Sequence, residues 1–122
     1  MMLELPLEAT VNQEFLITLG EQDCTIAVYQ RGAGMYLDLR AGGVTICQGA
    51  LCQPGMGIIQ RATDAFAGQL YLLDERSRPT EQQPAQWQGL GSRWRLYWLT
   101  PEEVAEVQTA NFEAALAGGA RG

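Results

Sequence analysis

The chain contains no histidine and no lysine among its 122 residues. Without histidine it has no proton shuttle tuned to neutral pH, no imidazole metal ligand and no Ser-His or Cys-His pair. Without lysine it has no Schiff-base nucleophile and no phosphate-gripping P-loop lysine. Charge is also scarce, at 18% of residues, and one-sided: fourteen acids face eight arginines for a formal net charge of -6. An acidic surface of that kind opposes general binding to nucleic acid or to anionic membrane, since both need cations to displace counterions. No run approaches the 18 or more apolar residues of a membrane span. The start, Met1-Met2-Leu3-Glu4-Leu5-Pro6, lacks the basic region and apolar stretch of a signal peptide, so the expectation is a soluble chain in the cytoplasm at synthesis.

What remains is apolar enough to fold. Hydrophobic residues make up 47% of the chain, which excludes a mainly disordered protein. The length suits one domain that buries roughly two-thirds of its unfolded surface without metal or disulfide staples. Cys24, Cys47 and Cys52 form an odd set beside apolar runs and are read as small buried side chains in a reducing compartment. Cys47 and Cys52 could be half of a metal site, but no other ligands accompany them. Ser77 and Ser92 have no base, and Glu102 and Glu103 point about 100° apart on a helix. No catalytic, cofactor-binding or metal-binding constellation is found.

The dominant period is two. Phe15, Ile17 and Leu19 share one face of a first strand, and Cys24, Ile26 and Val28 share one face of the next, with Gly20-Glu21-Gln22 as the hairpin loop. Arg31-Gly32-Ala33-Gly34 is a second loop, and Met35, Leu37 and Leu39 alternate after it. Gly42-Gly43 is a two-residue turn, and Val44 to Leu51 returns as another strand. Ile58 to Arg61 is a short strand or bend, and Gln69 to Asp74 is a strand. The polar stretch 75–92 is long for an unstructured loop, so it is functional or loose until something orders it. Its mixed-charge start, Asp74 to Arg78, reads as solvated. Arg93 to Leu99 closes the sheet. Thr100-Pro101-Glu102-Glu103 then carries a capping box, and the helix it starts should run from about Pro101 to Leu116 and stop at Gly118-Gly119. The fold class is mainly β: a small antiparallel β-sandwich or partly open β-barrel over 1–99, with a C-terminal helix and frayed tail over 100–122.

The outward positions are unusually apolar: Leu16, Tyr29, Tyr36, Tyr71, Leu73 and Tyr97. A closed barrel or a packed helix would cover some of them. Burial in an assembly would use them instead, since Tyr, Trp and Arg are favoured interface anchors. Arg93, Arg95 and Tyr97 lie on one face of the last strand, where they could contact single-stranded nucleic acid or pair with carboxylates of a neighbouring strand or subunit. Trp94, Leu96 and Trp98 on the other face are core. Trp87, between Gln86 and Gln88, is either an interface anchor or a lid over one end of the fold. The candidate interface residues are therefore Trp87, Tyr29, Tyr36, Tyr71, Arg93, Arg95 and Tyr97.

The order of several motifs is distinctive: Leu3-Glu4-Leu5-Pro6-Leu7, Asn12-Gln13-Glu14-Phe15, Tyr36-Leu37-Asp38-Leu39, Gly49-Ala50-Leu51 with Pro54-Gly55, Gly68-Gln69-Leu70-Tyr71 running to Asp74, Leu90-Gly91, and Arg95-Leu96-Tyr97. Together they resemble the baseplate plug family of contractile-tailed phages, of the cyanophage type, over Leu3 to Leu99. Tyr36 stands where a tryptophan is expected, and the helix from Pro101 looks like an extension. The resemblance implies a non-enzymatic virion component of the tail baseplate, made in the host cytoplasm. It would be a small β-barrel near the tube and central spike that contacts hub, tube or spike proteins and further copies of itself. It implies no cofactor, no membrane and no specific nucleic acid. The competing readings are a small β-barrel module binding a ligand or nucleic acid, and an enzyme using Cys47 or Cys52.

Overall fold

The computed structural model of the chain describes residues 3–61 and 63–106. Among these residues seven strands follow in chain order: β1 (Leu3–Leu5), β2 (Asn12–Leu19), β3 (Gln22–Arg31), β4 (Gly34–Ala41), β5 (Val44–Leu51), β6 (Gln69–Asp74) and β7 (Trp94–Leu99). They form two antiparallel sheets, a four-stranded one in the order β2-β3-β4-β5 and a three-stranded one in the order β1-β7-β6. The sheets do not close on each other, so the fold is a sandwich and the barrel alternative is not formed.

The meander β2 to β5 follows directly from the period-two pattern. Its inward positions line up across the sheet: Phe15 stands opposite Ile26, Ile26 opposite Leu39 and Leu39 opposite Cys47. The next inward row joins Val28, Leu37 and Ala50. Leu5, Leu96 and Leu72 supply the facing row from the other sheet, with Leu70 and Trp98 beside them. These side chains form one core together with Met35, Ile58, Phe66 and Leu90. Each fully buried leucine or isoleucine contributes about 2 kcal/mol by leaving water. Gly42 and Gly43, both with positive φ, make the tight β4–β5 turn at low steric cost.

Three features depart from the sequence expectation or refine it. First, β1 is an additional strand, paired on β7 from Leu3↔Trp98 to Leu5↔Leu96. Three residues ending at Pro6 are too few to display a period. Their pairing places β7 at the centre of its sheet, which explains why Trp94, Leu96 and Trp98 are all buried. Second, the Ile58–Arg61 stretch forms no strand. It begins as one rung, with Ile58 N–H donating to the Leu70 carbonyl at 2.9 Å, and then a side chain takes over. The Gln69 amide accepts from Ile59 N–H at 2.8 Å and donates to the Ile59 carbonyl at 2.9 Å, which imitates the next backbone pair. Third, the capping box at Thr100 forms as expected. Glu103 N–H donates to Thr100 Oγ1 at 3.2 Å, and Thr100 N–H donates to Glu103 Oε1 at 3.0 Å. Residues 101–106 are helical. The rest of the expected helix, to Leu116, and its glycine stop lie outside the described residues.

Gly68 connects this bend to β6 in a conformation few other residues adopt. Its φ is +100°, and a Cβ there would stand 2.3 Å from the Leu99 carbonyl oxygen and 2.5 Å from Trp98 Nε1. That indole nitrogen donates to the Ala67 carbonyl at 3.1 Å, so the turn and the Trp98 ring hold each other. Gly68→Ala is expected to lower stability by about 2–4 kcal/mol through backbone strain and displacement of the ring. Urea unfolding followed by tryptophan fluorescence measures it, and a loss under about 0.5 kcal/mol would contradict this packing.

Candidate interaction surfaces

The seven candidate residues do not form one site. Two lie on the outer face of the four-stranded sheet, three on the outer face of the three-stranded sheet, and two in or beside the long loop.

On the four-stranded sheet Tyr29 stands opposite Tyr36, with ring centroids 6.2 Å apart and planes inclined by 27°. The Tyr29 hydroxyl donates to Asp38 Oδ1 at 2.9 Å, and Gly49 N–H donates to the same oxygen at 2.6 Å. The Arg31 guanidinium lies 5.4 Å from the centre of the Tyr29 ring. Burial, and then hydrogen bonding to Asp38, push the Tyr29 hydroxyl above its ordinary pKa. Both tyrosines are half-buried and oriented by the strands β3, β4 and β5 together.

On the three-stranded sheet Tyr71 stands opposite Tyr97, and Tyr97 opposite Glu4. Arg95 is the neighbour of Leu73 across the β6–β7 ladder and pairs with Glu4 through Nη1–Oε1 at 3.4 Å. Both partners of that pair are substantially exposed, so it contributes little to stability and mainly orients the arginine. The Tyr97 hydroxyl bonds to the Glu75 carboxylate. Burial first, and this bond second, push its pKa up to about 12. The result is an aromatic and amide-free patch, Tyr71, Leu73 and Tyr97, edged by a fixed ion pair.

Arg93 belongs to a different construction. Asp74, at the end of β6, is 2% exposed, which overturns the expectation of a solvated mixed-charge turn. Its inward position on β6 forces the carboxylate into the end of the core, and four donors meet it there. Arg93 donates through Nε to Oδ1 at 2.8 Å and through Nη2 to Oδ2 at 3.0 Å. Arg76 N–H reaches Oδ1 at 3.1 Å and Gln83 N–H reaches Oδ2 at 3.2 Å. Gln82 completes the arrangement from the backbone side: Asp74 N–H donates to its Oε1 at 2.7 Å, and its Nε2 donates to the Asp74 carbonyl at 3.0 Å. Arg93 also lies over the Trp94 ring at 4.5 Å, and Trp94 Nε1 donates to the Gln83 carbonyl at 3.1 Å. The stretch after β6 is therefore ordered by its own chain, with no second molecule required.

Trp87 occupies a single 3-10 turn, Trp87–Gly89, further along that stretch. Its N–H donates to Gln30 Oε1 at 3.0 Å, and Gln30 Nε2 in turn donates to Gln86 Oε1 at 3.2 Å. The ring is half-buried and packs against the core cluster. Gln86, just before it, and Gln30 thus clamp the loop to the β3–β4 hairpin. The sequence carries no pattern that would reveal this long-range amide pairing.

Arg93, just before β7, and Arg95, on it, each pair with a carboxylate of the same chain, Asp74 and Glu4 respectively. Burial pushes the Cys52 thiol up to about 12 and raises Cys24 and Cys47 as well, which keeps all three protonated and poorly nucleophilic at neutral pH. Tyr29, Tyr97, Arg93 and Arg95 have their polar ends held by Asp38, Glu75, Asp74 and Glu4 of the same chain, which restricts their side-chain freedom in advance of any contact.

A family model described as "Cyanophage baseplate Pam3 plug gp18" matches residues 2–102. The match begins before β1 and ends just inside the C-terminal helix, so it spans every strand of both sheets. No individual curated protein matches the chain.

The Asp74 clamp makes stability depend on acid. The Arg93 guanidinium beside Asp74, with the backbone donors, holds the carboxyl well below the usual carboxylate range. A group with a depressed folded pKa contributes stability that is present above its unfolded pKa, about 3.9, and lost as pH falls toward the folded value. Wild-type stability is therefore expected to decline as pH falls below about 4, and Asp74→Asn is expected to decline less steeply over the same range. At neutral pH Arg93→Ala, which strands a buried charge, is expected to cost about 3 kcal/mol, and Asp74→Asn less because Arg93 retains access to water. Denaturant titrations across pH check both. Parallel pH profiles for wild type and Asp74→Asn would contradict the clamp.

Proposed function

The chain belongs to the cyanophage baseplate plug family and is a structural component of the phage tail baseplate, and from that membership we propose that it acts as a plug-like protein near the tube and central spike, working entirely through protein–protein contacts. Its partners in this reading are other baseplate proteins, among them the hub, the tube or the spike. It enters the virion from the host cytoplasm and performs no catalysis.

The observation that carries the reading is the extent of the match. It takes in the whole two-sheet body, including both aromatic outer faces, and leaves only Met1 and residues 103–122 outside. The geometry agrees with a contact role. Tyr71, Tyr97 and Arg95 form a patch in which Glu75 holds the Tyr97 hydroxyl and Glu4 the Arg95 guanidinium, and Tyr29 and Tyr36 form a second patch on the opposite sheet. Aromatic and arginine side chains held in this way suit the centre of an interface. Trp87 serves as a third anchor at the loop, its half-exposed ring presented by the Gln30–Gln86 clamp.

Incorporation into tails tests the reading. Particles assembled without this protein are supplemented with it, and the fraction that sediments with the baseplate is measured. Wild type is expected to incorporate. Tyr97→Ala combined with Arg95→Ala is expected to reduce incorporation about tenfold or more, as loss of interface anchors does, with the unfolding midpoint changed by only a few degrees. Failure of the folded wild-type protein to associate with any baseplate component would overturn the proposal.

A further inference from the structure

The four-stranded sheet has two edges, and they differ. β5 is interrupted by register shifts against β4 and by Gly49 with φ +65°, irregularities that blunt an edge against further pairing. β2 has none of these devices. Its eight residues, Asn12–Leu19, pair with β3 without a register shift and contain no proline and one charge, Glu14. Leu16 projects from the outer face and is 83% exposed, while Phe15 and Ile17 on the inner face are only half-buried. Such a strand is a template for another strand.

The backbone parity of this edge can be read from its neighbour. Gln30 N–H donates to the Val11 carbonyl at 2.9 Å, and the odd-numbered residues that follow turn their backbone groups toward β3 in the same way. Asn12, Glu14, Leu16 and Thr18 therefore direct N–H and C=O outward, and among the described residues no backbone group meets them. We infer that β2 pairs antiparallel with β2 of a second copy of this chain, about a two-fold axis that places Leu16 opposite Leu16.

Three features of this register suit it to a second copy of the chain. An antiparallel pair needs outward-directed residues facing each other, and Leu16 with Leu16 satisfies that for both copies at once. The same register sets Glu14 opposite Thr18 of the second copy, so no acid faces an acid even though the chain carries a net charge of -6. It also sets Phe15 opposite Ile17 on the inner face, which extends the apolar layer from one molecule to the next. A shift by two residues that brought Glu14 opposite Leu16 would lose the leucine pair and the match of Phe15 with Ile17. This inference stands on the sheet edge alone and is independent of the role in the baseplate.

Sedimentation equilibrium of the full chain tests it, together with two substitutions at one position. The wild type is expected to be a dimer in the micromolar range. Thr18→Glu places an acid opposite Glu14 twice per dimer and is expected to weaken association about tenfold, whereas Thr18→Lys is expected to strengthen it several-fold. Leu16→Lys is expected to give a folded monomer, since neither its side chain nor its backbone groups serve the β2–β3 ladder. Circular dichroism confirms the fold of each variant. A wild-type monomer at 100 micromolar (about a hundredfold above the range expected for a stable pair) would overturn the inference. A dimer that responds equally to Thr18→Glu and Thr18→Lys, or that survives Leu16→Lys, would overturn it as well, because association would then lie elsewhere.

Discussion

A single buried carboxylate holds the least regular part of this chain in place. Asp74 ends β6 on an inward position, where an isolated charge would be strongly disfavoured. It is tolerated because Arg93, at the entry to the central strand β7, meets it with a two-pronged bond, and because Arg76 and Gln83 add backbone donors. The consequence is geometric. The chain leaves β6 and returns to β7 nineteen residues later, and the ends of that excursion are tied at the same carboxylate. Trp94 then packs beneath Arg93 and bonds to the Gln83 carbonyl, so the start of β7 is registered by the loop before the ladder with β6 begins. Replacing the pair by apolar residues could preserve the packing, but it would not specify which loop residues meet the sheet.

The sequence makes the four-stranded meander plain because each of its strands is long enough for alternation to be seen and each turn carries glycine. Val44 to Leu51 and Gln69 to Asp74 have the limits expected of them, and the Thr100 capping box forms as its residues suggest. The remaining elements were hidden for physical reasons. β1 has three residues and is stable only because β7 offers an unpaired edge. The rung made by the Gln69 side chain looks like loop chemistry in one dimension. The solvated reading of Asp74 failed because local composition cannot reveal that its partner stands nineteen positions away. For the candidate contacts, residue types were visible as aromatic outward positions, but their division between two opposite faces was not, since it depends on which strands share a sheet.

That division has a bearing on assembly. A plug that met its surroundings through one patch would be a terminal piece. Here Tyr29 and Tyr36 face one way, while Tyr71, Tyr97 and Arg95 face the other, across a sandwich whose sheets lie roughly 10 Å apart. In the contact role proposed above, a body with two such faces would sit between neighbours, with both sheets as internal layers of a larger stack. The low charge content fits the same place, because charges at the centre of an interface are costly to desolvate.

The three cysteines bear on what holds the sandwich together. Cys24 and Cys52 are buried in the sandwich and Cys47 is half-covered, all as free thiols. Thiols kept protonated by burial exchange slowly with external oxidants and disulfides. With no disulfide among the described residues, this sandwich is held by packing and hydrogen bonds rather than by covalent crosslinks.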